Sequence, residues 1–579
     1  MNRRTLALAL AGAVAGATLA APPALASPGH GGHHDRARGY DQPYSGWMSA
    51  DTRLRDGRPQ QVGLDPSTLT SMLAKVDSYR QPQPATGRPL YPGAVTLVAR
   101  DGKVVTRDAK GYELLYSDEQ GTELPADQRE PMETDSIFDI ASITKLFTST
   151  ALMQQVERGR IDLDEPVATY LPAFAQNGKG TITPRQLLTH VSGLPASMPL
   201  DTAYPDIPSR LAAVMAVKPE AAPNVQYVYS DINMIVAGLL VEKATGKGLD
   251  RAVADGITTP LRLRDTSYNP PASKLHRIAA TEWDLTHGRG IIRGSVHDEK
   301  AWALAGVAGH AGVFSTADDL AVLGQTFLNG GTYGGKRILK KPTVDAMFTN
   351  FNQKFPDDSH GLGFELDQIW YMGGLGSART AGHTGFTGTS MVIDPGSRSI
   401  AILMTNRVHP SRDLGTINPA RRAVVDGVAD AMKLTPRAGR DAWRTGSVDA
   451  TTSTLTLPAV DVRRPGTRLS FDYLVDSEAV DKTTLQASRD GGTTWTAVPF
   501  TGAPTGSVSG QSQRHWKKAT AFLGAPGKVT LRWTHTTDTN YHGRGVYVDD
   551  VQVKAGNRKV LDGERCGCLV ADGWSPSRR

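Results

Sequence analysis

The sequence predicts an α+β domain followed by an all-β sandwich. Three observations point there. An early and a late hairpin signal bracket a long stretch of helical patterns. After Arg437 the apolar period changes from helical to two. The chain's 579 residues exceed what a single core organises.

In chain order, the first residues read as a targeting signal. Arg3 and Arg4 precede an apolar run from Thr5 to Ala21, and Ala24-Leu25-Ala26 is a small-residue cleavage pattern. The expectation is a secreted protein cut near Ala26, its mature chain starting near Ser27. A retained membrane anchor is the competing reading, disfavoured by the Ala/Gly-rich run and its cleavage site. No later segment is long and apolar enough to span a membrane, so no stable anchor is expected. Residues 27–60 are polar, with His30, His33 and His34 among glycines. They read as a disordered linker rather than a metal tract, since nothing nearby would fix ligand geometry.

From Gly63 the chain is organised. Leu64-Asp65-Pro66 opens a helix with Leu69, Met72, Leu73 and Val76 at helical spacing. Ala94–Ala99 and Lys103–Thr106 read as strands joined at Asp101-Gly102. Ser390–Ile393 leads through Asp394-Pro395-Gly396-Ser397 into Ser399–Met404, the second hairpin. Further on, Leu469, Phe471, Tyr473 and Val475 alternate, as do Val529, Leu531 and Trp533, then Val546 and Val548, then Val551 and Val553. Asp490-Gly491-Gly492 marks a turn between such runs, and short strands separated by turns indicate a sandwich. The expected divisions are a hydrolase-like domain at 61–434, a linker at 435–450, the sandwich at 451–560 and a tail at 561–579.

Charge narrows the function classes. The 64 basic and 58 acidic residues leave a net +6, spread without a dense Lys/Arg block, which excludes a nucleic-acid partner. Two cysteines, Cys566 and Cys568, cannot build a disulfide framework; they are either a short disulfide or two thiols.

Three motifs carry chemistry. Ser142-Ile143-Thr144-Lys145 is the chain's single Ser-x-x-Lys, on a segment whose Ile143, Leu146, Phe147, Leu152, Met153 and Val156 share a helical face. Residues three apart on a helix are neighbours, so Lys145 stands where a base must stand to activate a serine hydroxyl. Tyr229-Ser230-Asp231 precedes a second amphipathic helix. Tyr229 fits a proton relay and Asp231 a hydrogen-bond acceptor for Lys145 or substrate. Ser230 or Asp231 is also what a helix N-cap requires, and Tyr229 fits ordinary packing; read alone, the motif favours these structural roles. His383-Thr384-Gly385-Phe386 leads into the late hairpin. The Phe386 N–H, with that of Ser142, suits an oxyanion hole, and a Gly-rich turn entering a strand is the alternative.

The order Ser-x-x-Lys, Tyr-x-Asp, His-Thr-Gly resembles the serine β-lactamase and penicillin-binding-protein superfamily, most closely its class C and DD-carboxypeptidase branch. Leu187–Leu194, Gly309–Thr316 and Val296-His297-Asp298-Glu299 add to the likeness, which covers roughly 60–434. It implies an antiparallel sheet flanked by helices, an all-helical subdomain, and an active site between them. It implies an acyl-enzyme on Ser142, with Lys145 and Tyr229 moving protons. Asp231, His383, Thr384, Gly385 and Phe386 would bind substrate, a small molecule or peptide, cell-wall peptide included. Amide, peptide and ester bonds all remain open. No metal and no cofactor is implied; His297, Asp298, Glu299 and His310 match no ligand spacing. A noncatalytic penicillin- or cell-wall-binding protein with a vestigial serine site is the alternative.

Two departures stand out. Asp231 replaces the asparagine usual in the second motif and adds a charge beside Lys145. His383 replaces lysine in the third and is expected to make carboxylate recognition pH-dependent. In the C-terminal region, Tyr547-Val548-Asp549-Asp550-Val551 and Asp490–Trp495 resemble jelly-roll modules of secreted hydrolases. That likeness implies a carbohydrate or calcium partner, or a structural role. Trp516, Trp533 and Tyr541 are sugar-stacking candidates if exposed, and core aromatics otherwise.

Overall fold

The computed structural model describes residues 37–84, 86–446 and 448–579. The expected leader and cleavage site, and the histidine tract at His30, His33 and His34, lie outside the described residues. Among the described residues no helix is long and apolar enough to cross a membrane.

The two hairpins form as their turns dictate. β2 (Gly93–Arg100) and β3 (Lys103–Leu114) meet at Arg100 opposite Lys103, and Asp101 and Gly102 both take positive φ, the conformation a two-residue hairpin turn requires. β6 (Ser390–Asp394) and β7 (Ser399–Thr405) form the late hairpin. β7 pairs antiparallel with β2, from Ser399 opposite Arg100 to Thr405 opposite Ala94, so early and late strands share one sheet. Its continuous path runs β1-β3-β2-β7-β6-β5-β4, with β1 at Arg55–Asp56, β4 at Glu365–Leu366 and β5 at Ala381–Thr384. Every pairing on this path is antiparallel except the two-residue edge β1 on β3.

Period-two side chains split the sheet between two cores. Val95, Leu97, Ile400 and Ile402 face α2 (Thr144–Glu157) and α5 (Ala317–Leu328). Val98, Val392, Ala401 and Leu403 face α1 (Pro66–Ser78) and α6 (Asn418–Ala431). Asp65 caps α1 by accepting the Thr68 N–H, and Leu69, Met72 and Val76 bury its inner face, each worth about 1.5–3 kcal/mol. Residues 159–266 carry helices and turns without a strand, including α3 (Asp231–Thr245); α4 (Glu299–Ala303) follows later.

The C-terminal region is two stacked sheets. One runs β12-β10-β14-β8-β16, from Lys517–Phe522, Thr467–Asp476, Gly545–Ala555, Ala442–Thr445 and Trp574–Ser577. The other runs β11-β13-β9-β15, from Lys482–Ser488, Gly527–Thr536, Thr452–Thr456 and Val570–Asp572. β13 alternates buried and part-exposed residues along most of its length. β10 is buried on both faces: Leu469, Phe471, Tyr473 and Val475 fill the sandwich, while Leu474 joins the α6 core with Tyr547 and Ala442.

That shared core corrects three expected boundaries. The 435–450 linker contains β8, paired with β14 and β16. The 561–579 tail contributes β15 and β16, and Cys566 and Cys568 in it are disulfide-bonded. The 27–60 linker is packed from Ala37 onward: Tyr40 is 1% exposed, and its hydroxyl donates to Gly374 O at 2.9 Å and to Asp476 Oδ2. Polar average composition signals a linker, but a few long side chains decide burial. Arg514 of the sandwich reaches Asp394 at the end of β6 at 2.7 Å, both fully buried, and Arg444 of β8 pairs with Asp430 of α6 at 2.7 Å.

Candidate active site

The nucleophile motif sits on an elbow before α2. Ala141–Ile143 form one 3-10 turn, so Ser142 precedes the α-helix that carries Lys145. Ala141 takes φ +46°, a strained value for a residue with a side chain. Asp139, which sequence reasoning missed, holds the elbow. Its Oδ1 accepts the Ala141 N–H at 2.8 Å and its Oδ2 the His297 N–H at 2.6 Å. The third motif is clamped to the same turn. Thr387 donates to Asp139 O at 2.7 Å, and a Cβ on Gly385 would stand 2.5 Å from Ile140 O. Glycine is required at 385 because the strand end and the elbow touch.

Lys145 is 1% exposed and fully engaged. Its Nζ donates to Ser142 Oγ at 2.9 Å, Asp231 Oδ1 at 3.1 Å and His310 O at 3.2 Å. It also lies 4.7 Å from the Tyr229 ring centroid. The structure resolves the N-cap ambiguity: Ser230 caps α3 by accepting the Asn233 N–H, which frees Asp231 for the lysines. Lys300 of α4 meets the other oxygen, Oδ2, at 2.9 Å. Burial alone would raise the Asp231 carboxyl, but Lys145, His310 and Lys300 outweigh it and hold it well below the usual carboxylate range. The extra charge noted in the second motif is thus balanced by Lys300. The signal for Lys300 was present, since a second cation is needed and Lys300 follows the Val296–Glu299 segment directly.

The Tyr229 phenol is pushed well above its ordinary value, by burial first and then by Asp231 and Glu365; contact with Ser142 pulls the other way. It therefore keeps its proton at neutral pH and can donate it. His383 is 1% exposed, with Nδ1 2.8 Å from Thr384 O and its ring 6.0 Å from that of Tyr229. Burial, then the Lys145 charge, push it down to about 3. Asp231 accepts from Lys145, one of the two roles expected of it, and its other oxygen meets Lys300. One expectation is corrected here. His383 is neutral and turned inward, so it cannot switch carboxylate recognition near neutral pH.

Ser142, Tyr229, Thr384, Gly385 and Phe386 line a cleft of about 400 Å³, with Glu365, Trp370, Arg407 and Arg421. The Phe386 N–H donates to no group among the described residues, while the Phe386 ring, 49% exposed, stacks on His297 at 5.7 Å. Arg421 pins the strand end by donating to Gly385 O at 2.6 Å and Thr389 O at 3.1 Å. Glu365, also missed, is pushed up to about 7 by burial, against the opposing pull of the nearby Tyr371 hydroxyl and the Arg421 charge.

His190, His297 and His310 are held by backbone and carboxylate partners. His190 Nδ1 accepts the Ser230 N–H at 3.0 Å, and His297 pairs with Glu282 at 2.7 Å. His310 Nε2 lies 2.9 Å from Asp298 Oδ1. The imagined set of His297, Asp298, Glu299 and His310 is therefore split: His297 turns to Glu282 and Glu299 to Arg412. Asp231, Asp298 and His310 do converge, with Lys145 and Lys300 already among them. In the sandwich, Trp533 is core, Trp516 packs on Tyr547, and Tyr541 lies under the Arg422 guanidinium at 4.8 Å.

The beta-lactamase family profile matches residues 83–426. The chain is 34% identical over 391 residues to an Escherichia coli protein named "Putative D-alanyl-D-alanine carboxypeptidase", covering 62% of this chain and 86% of that one. It is 35% identical over 371 residues to an N-acetylmuramyl-L-alanine amidase of Bacillus subtilis, covering 59% and 82%. A solved penicillin-binding-protein homologue from Caulobacter crescentus superposes with a TM-score of 0.49 at 22% identity, over 63% of this chain and 99% of that one. The chain belongs to the beta-lactamase family and is a serine hydrolase of the β-lactamase and penicillin-binding-protein type.

Proposed function

We propose that the protein is a secreted peptide hydrolase of the carboxypeptidase kind, which forms an acyl-enzyme on Ser142. The observation that carries this is Lys145 Nζ at 2.9 Å from Ser142 Oγ, in a cleft where the Phe386 N–H donates to no group among the described residues. Lys145 rests as the ammonium that donates to Ser142 Oγ; once it has lost a proton to solvent, Ser142 Oγ attacks the substrate carbonyl carbon and the resulting amine takes the serine proton. The Phe386 and Ser142 N–H groups stabilise the oxyanion. Tyr229 gives its proton to the leaving amine as the C–N bond breaks, and Lys145 restores it. Water then cleaves the ester, releasing the acid and regenerating the hydroxyl. Relatives named for D-alanyl-D-alanine and N-acetylmuramyl-L-alanine support a cell-wall peptide as substrate. Export fits such a target, with the leader removed near Ala26.

The test is covalent labelling with fluorescent penicillin and a serine-reactive phosphonate, alongside D-alanine release from a D-alanyl-D-alanine peptide. Wild type should label and turn over, and Ser142→Ala should do neither. Equal labelling of both proteins would remove Ser142 as nucleophile. No labelling of either would favour a noncatalytic wall-binding protein.

A further inference from the structure

The sandwich holds a carboxylate cluster that hydrolysis at Ser142 does not use. Pairing of Lys482 with Thr536 sets the ends of β11 and β13 side by side. The β10–β11 and β13–β14 connections therefore meet at one end of the sandwich, where the chain crosses between sheets. Glu478 and Asp481 come from the first connection and Asp538 from the second; one carboxylate oxygen of each lies within 4.8 Å of the others. Asp481 is 0% exposed. Its Oδ1 accepts the Asp538 N–H at 3.1 Å, and its Oδ2 has no partner. Glu478 Oε1 is likewise buried without a partner. No lysine or arginine pairs with any of the three among the described residues. His542 is held by Asp449 at 2.5 Å.

Asp481 is buried, Glu478 half-buried and Asp538 exposed; carboxylates drawn together without a lysine or arginine repel, and a buried oxygen without a donor adds to that cost. One shared cation resolves both. We infer that Glu478, Asp481 and Asp538 bind a hard divalent cation of calcium's size, clamping the two connections together. The donors on offer are oxygens alone, which select against zinc and copper. They sit on loops that can add backbone carbonyls and water, which suits calcium's flexible shell better than magnesium's rigid octahedron. The clamp lies two residues from Asp476, which receives the Tyr40 hydroxyl and the Arg544 N–H where sandwich and hydrolase meet.

The test uses the full-length protein stripped with EDTA and titrated with calcium chloride in a calorimeter, with melting temperature followed in parallel. Wild type should take up one calcium per chain and melt higher with it. Glu478→Gln with Asp481→Asn should bind roughly tenfold or more weaker and lose the thermal response. Asp461→Asn, an exposed acid paired with Arg463 outside the cluster, should bind like wild type. Glu478→Gln alone is the milder variant should the double not fold, with hydrolysis at Ser142 reporting an intact chain. Two results would overturn the site: no calcium uptake by wild type at roughly 10 mM, above the weak end of extracellular calcium modules, or undiminished uptake by the cluster variants. Neither result bears on Ser142.

Discussion

Asp231, Asp298 and His310 in the hydrolase and Glu478, Asp481 and Asp538 in the sandwich are two places where acidic groups converge. They are neutralised differently. In the first, Lys145 and Lys300 divide the oxygens of Asp231, and His310 takes Asp298. In the second, no lysine or arginine arrives among the described residues. The first cluster can be wired permanently because its positive charge also serves chemistry: the ammonium that pairs with Asp231 is the one that touches Ser142. The second has no reaction to serve, and its charge balance is left to what the surroundings supply.

That comparison breaks hardest at Lys145. Lys145→Met removes both the contact to Ser142 and half the neutralisation of Asp231. Turnover should fall about 10³-fold with the fold retained, by steady-state kinetics and circular dichroism. A variant within tenfold of wild type would show that another group accepts the serine proton. Lys300→Met tests the same cluster more gently, since it removes only the outer cation. A loss of about tenfold in kcat is expected. Asp231→Asn placed in that background should recover part of it, and an additive double variant would show the two residues to be independent.

The smallest effect is on pH dependence and belongs to His383. Its folded value lies near 3, below the ordinary histidine value near 6.5. Between those values the unfolded chain binds a proton that the folded chain refuses, so His383 lowers stability progressively as pH falls from about 6.5 towards 3. His383→Asn should flatten that slope in denaturant unfolding curves measured across the window. Its profile of kcat/KM against pH from about 6 to 8 should keep the wild-type shape. A new or lost inflection there would mean that His383 titrates during turnover.

The sequence carried what is local. Asp101-Gly102 and Asp394–Ser397 fixed the two hairpins because turn chemistry lies within a few residues. The alternation in β10 and β13 was visible because the pleat repeats every second residue. Ser142, Lys145 and Tyr229 were readable as motifs and do converge. What escaped is long-range. Lys300 reaches Asp231 across 69 positions, and Tyr40 reaches Asp476 across 436. Asp139 resembled any strand-end acid until its two backbone partners were in place. Motif position also said nothing about side-chain direction, which is why His383 was expected to face a substrate carboxylate and is instead buried and neutral.

β10, covered on both faces, bears on how such a chain arises and is reused. An accessory module that is appended and lost freely in evolution presents a polar outer face at its junction. Here the junction is lined by Leu474, Tyr547 and Ala442, and it buries Arg514 against Asp394. Asp394 ends the strand that runs beside His383 and Thr384, so severing the module would leave an orphan charge on the sheet that carries the third motif. Gene fusions that cut near Thr435 would inherit two damaged halves. In this chain the hydrolase sheet and the sandwich are packed as one core, so a substitution at Leu474, Tyr547 or Arg514 is felt on both sides of the junction.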